Sequence, residues 1–224
     1  QKKLSNIISR EKAACEKCKD LSASCETCLI KEQILTRYFN ANIPVRYWKL
    51  KMSEFTGDDV LKSVYEKMTK SVEETYHEGT CICFAGSHGI GKTMCSTNIL
   101  KKFLEKGYTG IYINLNDIVA NLVGGNPEFK DEIRKDLLST DLLIIDEFDM
   151  RHVSSTSNAV DLFGRVLEDI IRTRMQNKIP TILATNSPNP LDSFTGALKA
   201  SLTSLMNYVE VITVLGRDFR KDGK

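Results

Sequence analysis

The sequence lacks any apolar run approaching the roughly 20 residues that a membrane span requires. Its first residues, QKKLSNIISR, lack the apolar centre of a secretory signal. Internal repeats and low-complexity tracts are also missing, which leaves an ordinary folded chain. Without a signal, the seven cysteines read as reduced thiols or metal ligands rather than disulfides, and the compartment as intracellular. Net charge is nearly balanced at +2 but unevenly spread. Residues 1–51 carry eleven Lys/Arg against five Asp/Glu, a net of +6, and residues 52–224 carry twenty against twenty-four, a net of −4. The basic N-terminal stretch suits nucleic acid or an acidic protein face, or is simply a solvated segment.

A chain of 224 residues has room for one α/β domain and a small appendage. Residues 11–32 hold four cysteines, many charges and few large apolar residues, so they cannot build a core and need a staple. This divides the chain into an arm at 1–32, a linker at 33–57 and a core at 58–224. Asp58 can cap a helix reaching about His77, with Val60, Leu61, Val64 and Met68 on one face. Strands are expected at 80–85, 109–114, 141–146, 180–185 and 208–214. Helices are expected at 92–106, 115–122, 127–138, 157–176 and 190–206. This alternation predicts an α/β fold with a mostly parallel sheet. The short stretch after the fifth strand is expected to leave no room for a C-terminal lid.

Residues Gly86-Ser87-His88-Gly89-Ile90-Gly91-Lys92-Thr93 match G-x-x-x-x-G-K-[ST] in full, between an expected strand and an expected helix. The glycines let successive backbone N–H groups turn inward around phosphate oxygens. Lys92 supplies a positive charge for the β- and γ-phosphates, Thr93 a hydroxyl for Mg²⁺, and the helix opening at Lys92, with Met94 behind it, a positive N-terminal end. The expected cofactors are therefore ATP and Mg²⁺.

The apolar run Leu142-Leu143-Ile144-Ile145 carries Asp146 and Glu147 to the carboxyl end of a strand, the edge where ligands sit in open α/β sheets. Asp146 would hold Mg²⁺, and Glu147 would polarise the water that attacks the γ-phosphate. Asp149 reads as a cap or a surface acid. Beyond the fourth strand, Asn186, with Thr185 second, can reach the γ-phosphate or that water; turn chemistry in Asn-Ser-Pro is the competing explanation.

Cys15-x₂-Cys18-x₆-Cys25-x₂-Cys28 forms two CxxC pairs, which suit a tetrahedral structural Zn²⁺ site. An iron–sulfur cluster takes the same ligands, and unligated thiols remain an alternative. Cys81, Cys83 and Cys95 read as small buried residues.

Together GSHGIGKT, LLIIDE, IPTILATNSP and the stretch CEKCKD…CETCL…RYFNANIPVRYW resemble the AAA+ helicase-loader family of DnaC, DnaI and IstB-like proteins. The cysteine arm is most similar to phage and Gram-positive DnaC-like replication proteins. The resemblance spans about residues 12–220. It implies a five-stranded parallel P-loop core without a lid, ATP-dependent head-to-tail homo-oligomers, and an arm that docks on a DnaB-like replicative hexameric helicase. It also implies single-stranded DNA as a ligand and a cytoplasmic setting in a bacterial cell or its phage. One departure stands out. Where the family presents an arginine to the neighbour's γ-phosphate, this sequence reads Thr203-Ser204-Leu205, and Lys199 is the only cation on that helix. Arg172, Arg174, Arg217 and Arg220 are the remaining candidates, and hydrolysis is expected to be slow because such an arginine contributes about 10³–10⁵ in rate. Two other readings are an IstB-like transposition ATPase that remodels DNA for a transposase, and an adaptor whose nucleotide only stabilises the fold.

Overall fold

A computed structural model describes residues 2–15, 25–124, 126–149, 157–216 and 218–219. Five strands form one parallel sheet: β1 (Cys81–Ala85), β2 (Gly110–Asn114), β3 (Leu142–Asp146), β4 (Thr181–Thr185) and β5 (Glu210–Thr213), ordered β2-β3-β4-β1-β5. The central strands β3 and β4 are buried along their whole length, as their uninterrupted apolar runs require.

Alternate residues of each strand feed two cores. One face sends Ile82, Phe84, Leu142, Ile144 and Ile182 against α3 (Asp59–Lys70), α4 (Val72–Glu78) and α5 (Lys92–Glu105). The other sends Cys83, Leu143, Ile145 and Leu183 against α6 (Leu115–Gly124), α7 (Pro127–Ser139), α8 (Ser157–Gln176) and α9 (Gly196–Met206). Asp58 caps α3 as expected, accepting from Val60 N–H at 2.9 Å, and its second oxygen accepts from Leu215 N–H.

Three element boundaries differ from expectation. The helix from Asp58 breaks at Ser71, whose hydroxyl accepts from Glu74 N–H at 3.2 Å and starts α4. The last helix starts at Gly196 rather than 190, because Asn189 bonds Asp192 and Leu191 in a turn next to Pro188 and Pro190. The fifth strand is shorter, with Tyr208 left exposed in the preceding turn.

Upstream, α1 (Lys2–Ala13) lies beside α2 (Glu26–Asn40). Helix α2 runs without interruption across the expected arm–linker boundary at 32/33. The expected linker is also packed: Tyr38, Ala41, Ile43, Trp48, Met52 and Phe55 belong to the first core. Arg37 donates to Leu104 O at 2.7 Å, and Ala41 O accepts from Tyr112 N–H at 2.8 Å, covering the edge of β2.

Candidate functional site

The carboxyl ends of β1, β3 and β4 converge, because the register pairs Ala85 with Thr185 and sets Asn114 beside Asp146. The loop 86–91 leaves β1 here and turns into α5. Gly89 and Gly91 have φ of 77° and 102°, conformations that disfavour any side chain. A Cβ at Gly86 would meet Val214 O at 2.3 Å, so this glycine is required by close approach. Ile90 is buried and anchors the loop, whereas Ser87 and His88 are exposed at its tip. Thr93 and Met94 are half-buried on the first turn of α5.

Lys92 is only 5% exposed. Its ammonium donates to Gly86 O at 2.8 Å, Ser87 O at 2.7 Å and Asn186 Oδ1 at 3.0 Å. It is therefore held at the mouth of the loop, among acceptors that an incoming phosphate would replace. Asn186 shares this cation, which separates it from Thr185, whose hydroxyl is buried and accepts from Ser187 N–H in the turn.

Asp146, 6% exposed, accepts at Oδ2 from the Thr93 hydroxyl at 2.8 Å and from the Tyr112 phenol at 2.7 Å. Its Oδ1 accepts from Glu147 N–H at 2.9 Å. A threonine hydroxyl against a carboxylate, beside a buried cation and a glycine cradle, fits a nucleotide with its Mg²⁺. Thr93 and Asp146 are the residues that would hold the ion. Tyr112 escaped sequence reading because a tyrosine on a strand usually reads as packing. Burial first, and the charge of Asp146 second, push its phenol well above the ordinary tyrosine value, so it stays a donor.

Glu147 has φ of 51°, an uncommon backbone for a residue other than glycine. Phe148 N–H donates to Ala184 O, and Asp149 N–H to Glu147 O at 2.7 Å, which turns the Glu147 side chain outward. It is exposed at the sheet edge, and its carboxylate makes no hydrogen bond or ion pair among the described residues. Asp149 corrects the expectation of a surface acid: it is 3% exposed.

The candidate arginines separate. Arg174 is fully buried and donates to Leu137 O, Leu138 O, Thr140 O, Pro180 O and Thr181 Oγ1. These acceptors lie at the end of α7 and the amino ends of β3 and β4, opposite the phosphate loop, so Arg174 ties the fold together and cannot serve a phosphate. Arg172 is part-exposed and pairs with Glu168 at 2.7 Å. Ser204 and Lys199 are exposed on α9, where the Ser204 hydroxyl bonds Ser201 O. Arg217 and Arg220 fall outside the described residues. Their neighbours Asp218 and Phe219 lie against the loop: Phe219 N–H donates to Gly89 O at 3.1 Å, and its ring meets Phe55 edge-on at 5.7 Å.

In the arm, the sulfurs of Cys15, Cys25 and Cys28 lie within 4.8 Å of one another, with Cys15 and Cys25 3.8 Å apart. Four thiolates about 2.3 Å from one tetrahedral Zn²⁺ would be separated by about 3.8 Å, so the three fit a metal site. Cys18 falls outside the described residues. Cys83 and Cys95 are buried and Cys81 is half-buried; desolvation raises the thiol pKa of all three, with Cys83 at about 12, so they are inert core thiols.

Residues 82–199 match the family described as ATPase family associated with various cellular activities (AAA). Several solved structures share the fold. One titled "Crystal Structure of the DnaI" superposes with a TM-score of 0.63 at 17% identity, covering 77% of this chain and 95% of the other. A DnaC helicase loader gives 0.57 at 20% identity, covering 77% and 100%. One titled "Crystal structure of a putative primosome component from Streptococcus pyogenes serotype M3" gives 0.60 at 13% identity, covering 80% and 92%. No curated protein matches the sequence.

Proposed function

The chain belongs to the AAA ATPase family, and from that premise we propose that it is a slow, ATP-switched replication factor that loads a hexameric replicative helicase onto single-stranded DNA. The observation that carries this reading is the union of an intact nucleotide site with a thiol-bearing N-terminal arm in one chain. The likeness in fold to DnaI and to a DnaC helicase loader supports it, as does the likeness to a replication initiator DnaA solved with AMPPCP and single-stranded DNA, at a TM-score of 0.59 and 20% identity. The arm at 1–32 is the helicase-docking element, with Leu29 and Ile30 exposed side by side on α2 as its apolar contact. The segment 33–57 joins it to the ATPase core at 58–224. Zn²⁺ on Cys15, Cys18, Cys25 and Cys28 would lock the arm's shape.

In the core, the loop 86–94 and Lys92 bind the phosphates. Bound Mg²⁺ supplies charge neutralisation at the phosphate oxygens. Glu147, exposed and uncommitted, takes the proton of the attacking water, and Asn186 positions that water or the γ-phosphate. No arginine on α9 is available to a neighbouring subunit, so ATP persists and holds a homo-oligomer together. Exposed Tyr208, Val211 and Leu215 around edge strand β5 give that oligomer apolar contact area.

The deciding experiment is a pull-down of the host's replicative helicase by the full chain, with and without ATP, followed by helicase loading on single-stranded DNA. Capture by the full chain, lost with Cys15→Ser plus Cys18→Ser, is the expected result. Capture of a transposase instead would favour the IstB-like alternative. Nucleotide binding that survives Lys92→Ala unchanged would remove the phosphate-site assignment itself.

A further inference from the structure

We propose that Tyr112 is a positioning residue for magnesium: its phenol holds the Asp146 carboxylate in the orientation that receives the ion. Among the described residues three donors reach this carboxylate: the Thr93 hydroxyl, the Tyr112 phenol and Glu147 N–H. Thr93 belongs to the nucleotide loop's own helix, and Glu147 N–H belongs to the same turn as the aspartate. Only Tyr112 arrives from a separate strand. Of these three it is the donor that fixes Asp146 relative to the sheet rather than to the parts that bind nucleotide.

The geometry follows from register. Tyr112 pairs with Ile144, two residues before Asp146 on β3. Two strand residues span about 6.6 Å, and the long tyrosine ring leans along the strand to cover that offset. The ring is held in turn. Tyr112 is 7% exposed, and its backbone N–H is fixed by Ala41 O at 2.8 Å. Asn114 Oδ1 also lies 3.2 Å from the phenol oxygen, but the single proton serves the nearer, charged acceptor at 2.7 Å. An aspartate has two side-chain torsions, and a carboxylate that rotates away presents the wrong lone pairs to a cation. A phenol on a rigid ring removes that freedom before the ion arrives.

The inference rests on the AAA nucleotide site and not on helicase loading, so a failure of the loading experiment leaves it standing. The test is equilibrium binding of mant-ATP by the full chain across a Mg²⁺ titration, for wild type and Tyr112→Phe. The ring's packing is retained in this variant and only the hydroxyl is lost. The Mg²⁺ concentration for half-maximal binding should rise about tenfold, as for other residues that orient metal ligands. Affinity in EDTA should stay within about twofold of wild type, which a general loss of structure would not allow. A half-saturation unchanged within twofold, or an equal loss with and without Mg²⁺, overturns the proposal. Should Tyr112→Phe not fold, Tyr112→Met also lacks the donor and is held to the same outcomes.

Discussion

Lys92 and Asp146 sit at the ends of elements packed on both faces, whereas Cys15, Cys25 and Cys28 sit at the ends of two helices with little beneath them. Helix α1 buries no residue, and α2 buries only Cys28 and Tyr38. Leu4 and Ile7 of α1 pack against the first core only part-buried, and the ion pairs of Glu11 with Lys31 and Lys49 stabilise little at the surface. The phosphate loop is thus shaped before its ligand comes, by glycine backbone, core packing and a network on Asp146. The arm's thiols are close together with little core around them, so a metal would be the strong link between its two helices. Two motifs that are equally plain in the sequence therefore differ in what holds their donors in place.

The largest expected effect tests whether the core site is a catalyst as well as a cradle. Glu147→Gln should lower phosphate release about 10²–10⁴-fold, the usual contribution of a positioned base. Nucleotide affinity should change less than about twofold, because Glu147 is exposed and outside the phosphate contacts. Size-exclusion chromatography with ATP should then show a persistent oligomer. Wild-type turnover in this variant would remove Glu147 from the mechanism, although the cradle would stand.

Arg174→Met tests how firmly the core is held. The substitution leaves the carbonyls of Leu137, Leu138 and Thr140 and the Thr181 hydroxyl without this donor, while Pro180 O keeps Leu143 N–H at 3.3 Å. The loss should be about 3 kcal/mol or more of unfolding free energy in urea. A loss below about 1 kcal/mol would mean that these carbonyls find water, and that the core is looser than its packing implies.

Removing metal tests the arm. Chelation, or Cys15→Ser with Cys28→Ser, should abolish bound zinc and expose the amides of α1 and the start of α2 to hydrogen exchange. The core's melting temperature should move by less than about 2 °C, since neither buried cluster includes Cys15, Cys25 or Cys28. If the core melts together with the arm, the contrast between the two regions fails.

Much of the contrast was legible in the sequence. The strands β1, β3 and β4 read plainly because their apolar runs have no polar interruption and the sheet is covered on both faces. The phosphate loop read plainly because its chemistry needs glycines at fixed spacing. The packing of residues 38–55 was harder to read. RYFNANIPVRYW is aromatic but aperiodic, and aromatic residues without a helix or strand period do not say what they touch. Tyr112 was hidden for a related reason: its partner lies 34 residues away, and only the register of β2 on β3 brings them together.

The smallest expected effect concerns the two arginines that sequence spacing could not separate. Arg172 and Arg174 lie two residues apart on α8, about 200° around the helix, so one faces the core and the other solvent. Arg172→Ala removes only the exposed pair with Glu168, and should cost at most about 0.5 kcal/mol. That small cost is what makes the variant informative. Turnover of the isolated chain should be unchanged, since Arg172 makes no contact with the phosphate loop among its hydrogen bonds and ion pairs in the described residues. If turnover of the ATP-bound oligomer falls while stability does not, Arg172 acts across a subunit boundary. If both stay constant, it is a helix-surface ion pair, and the trans-acting cation must be sought in residues 217–224.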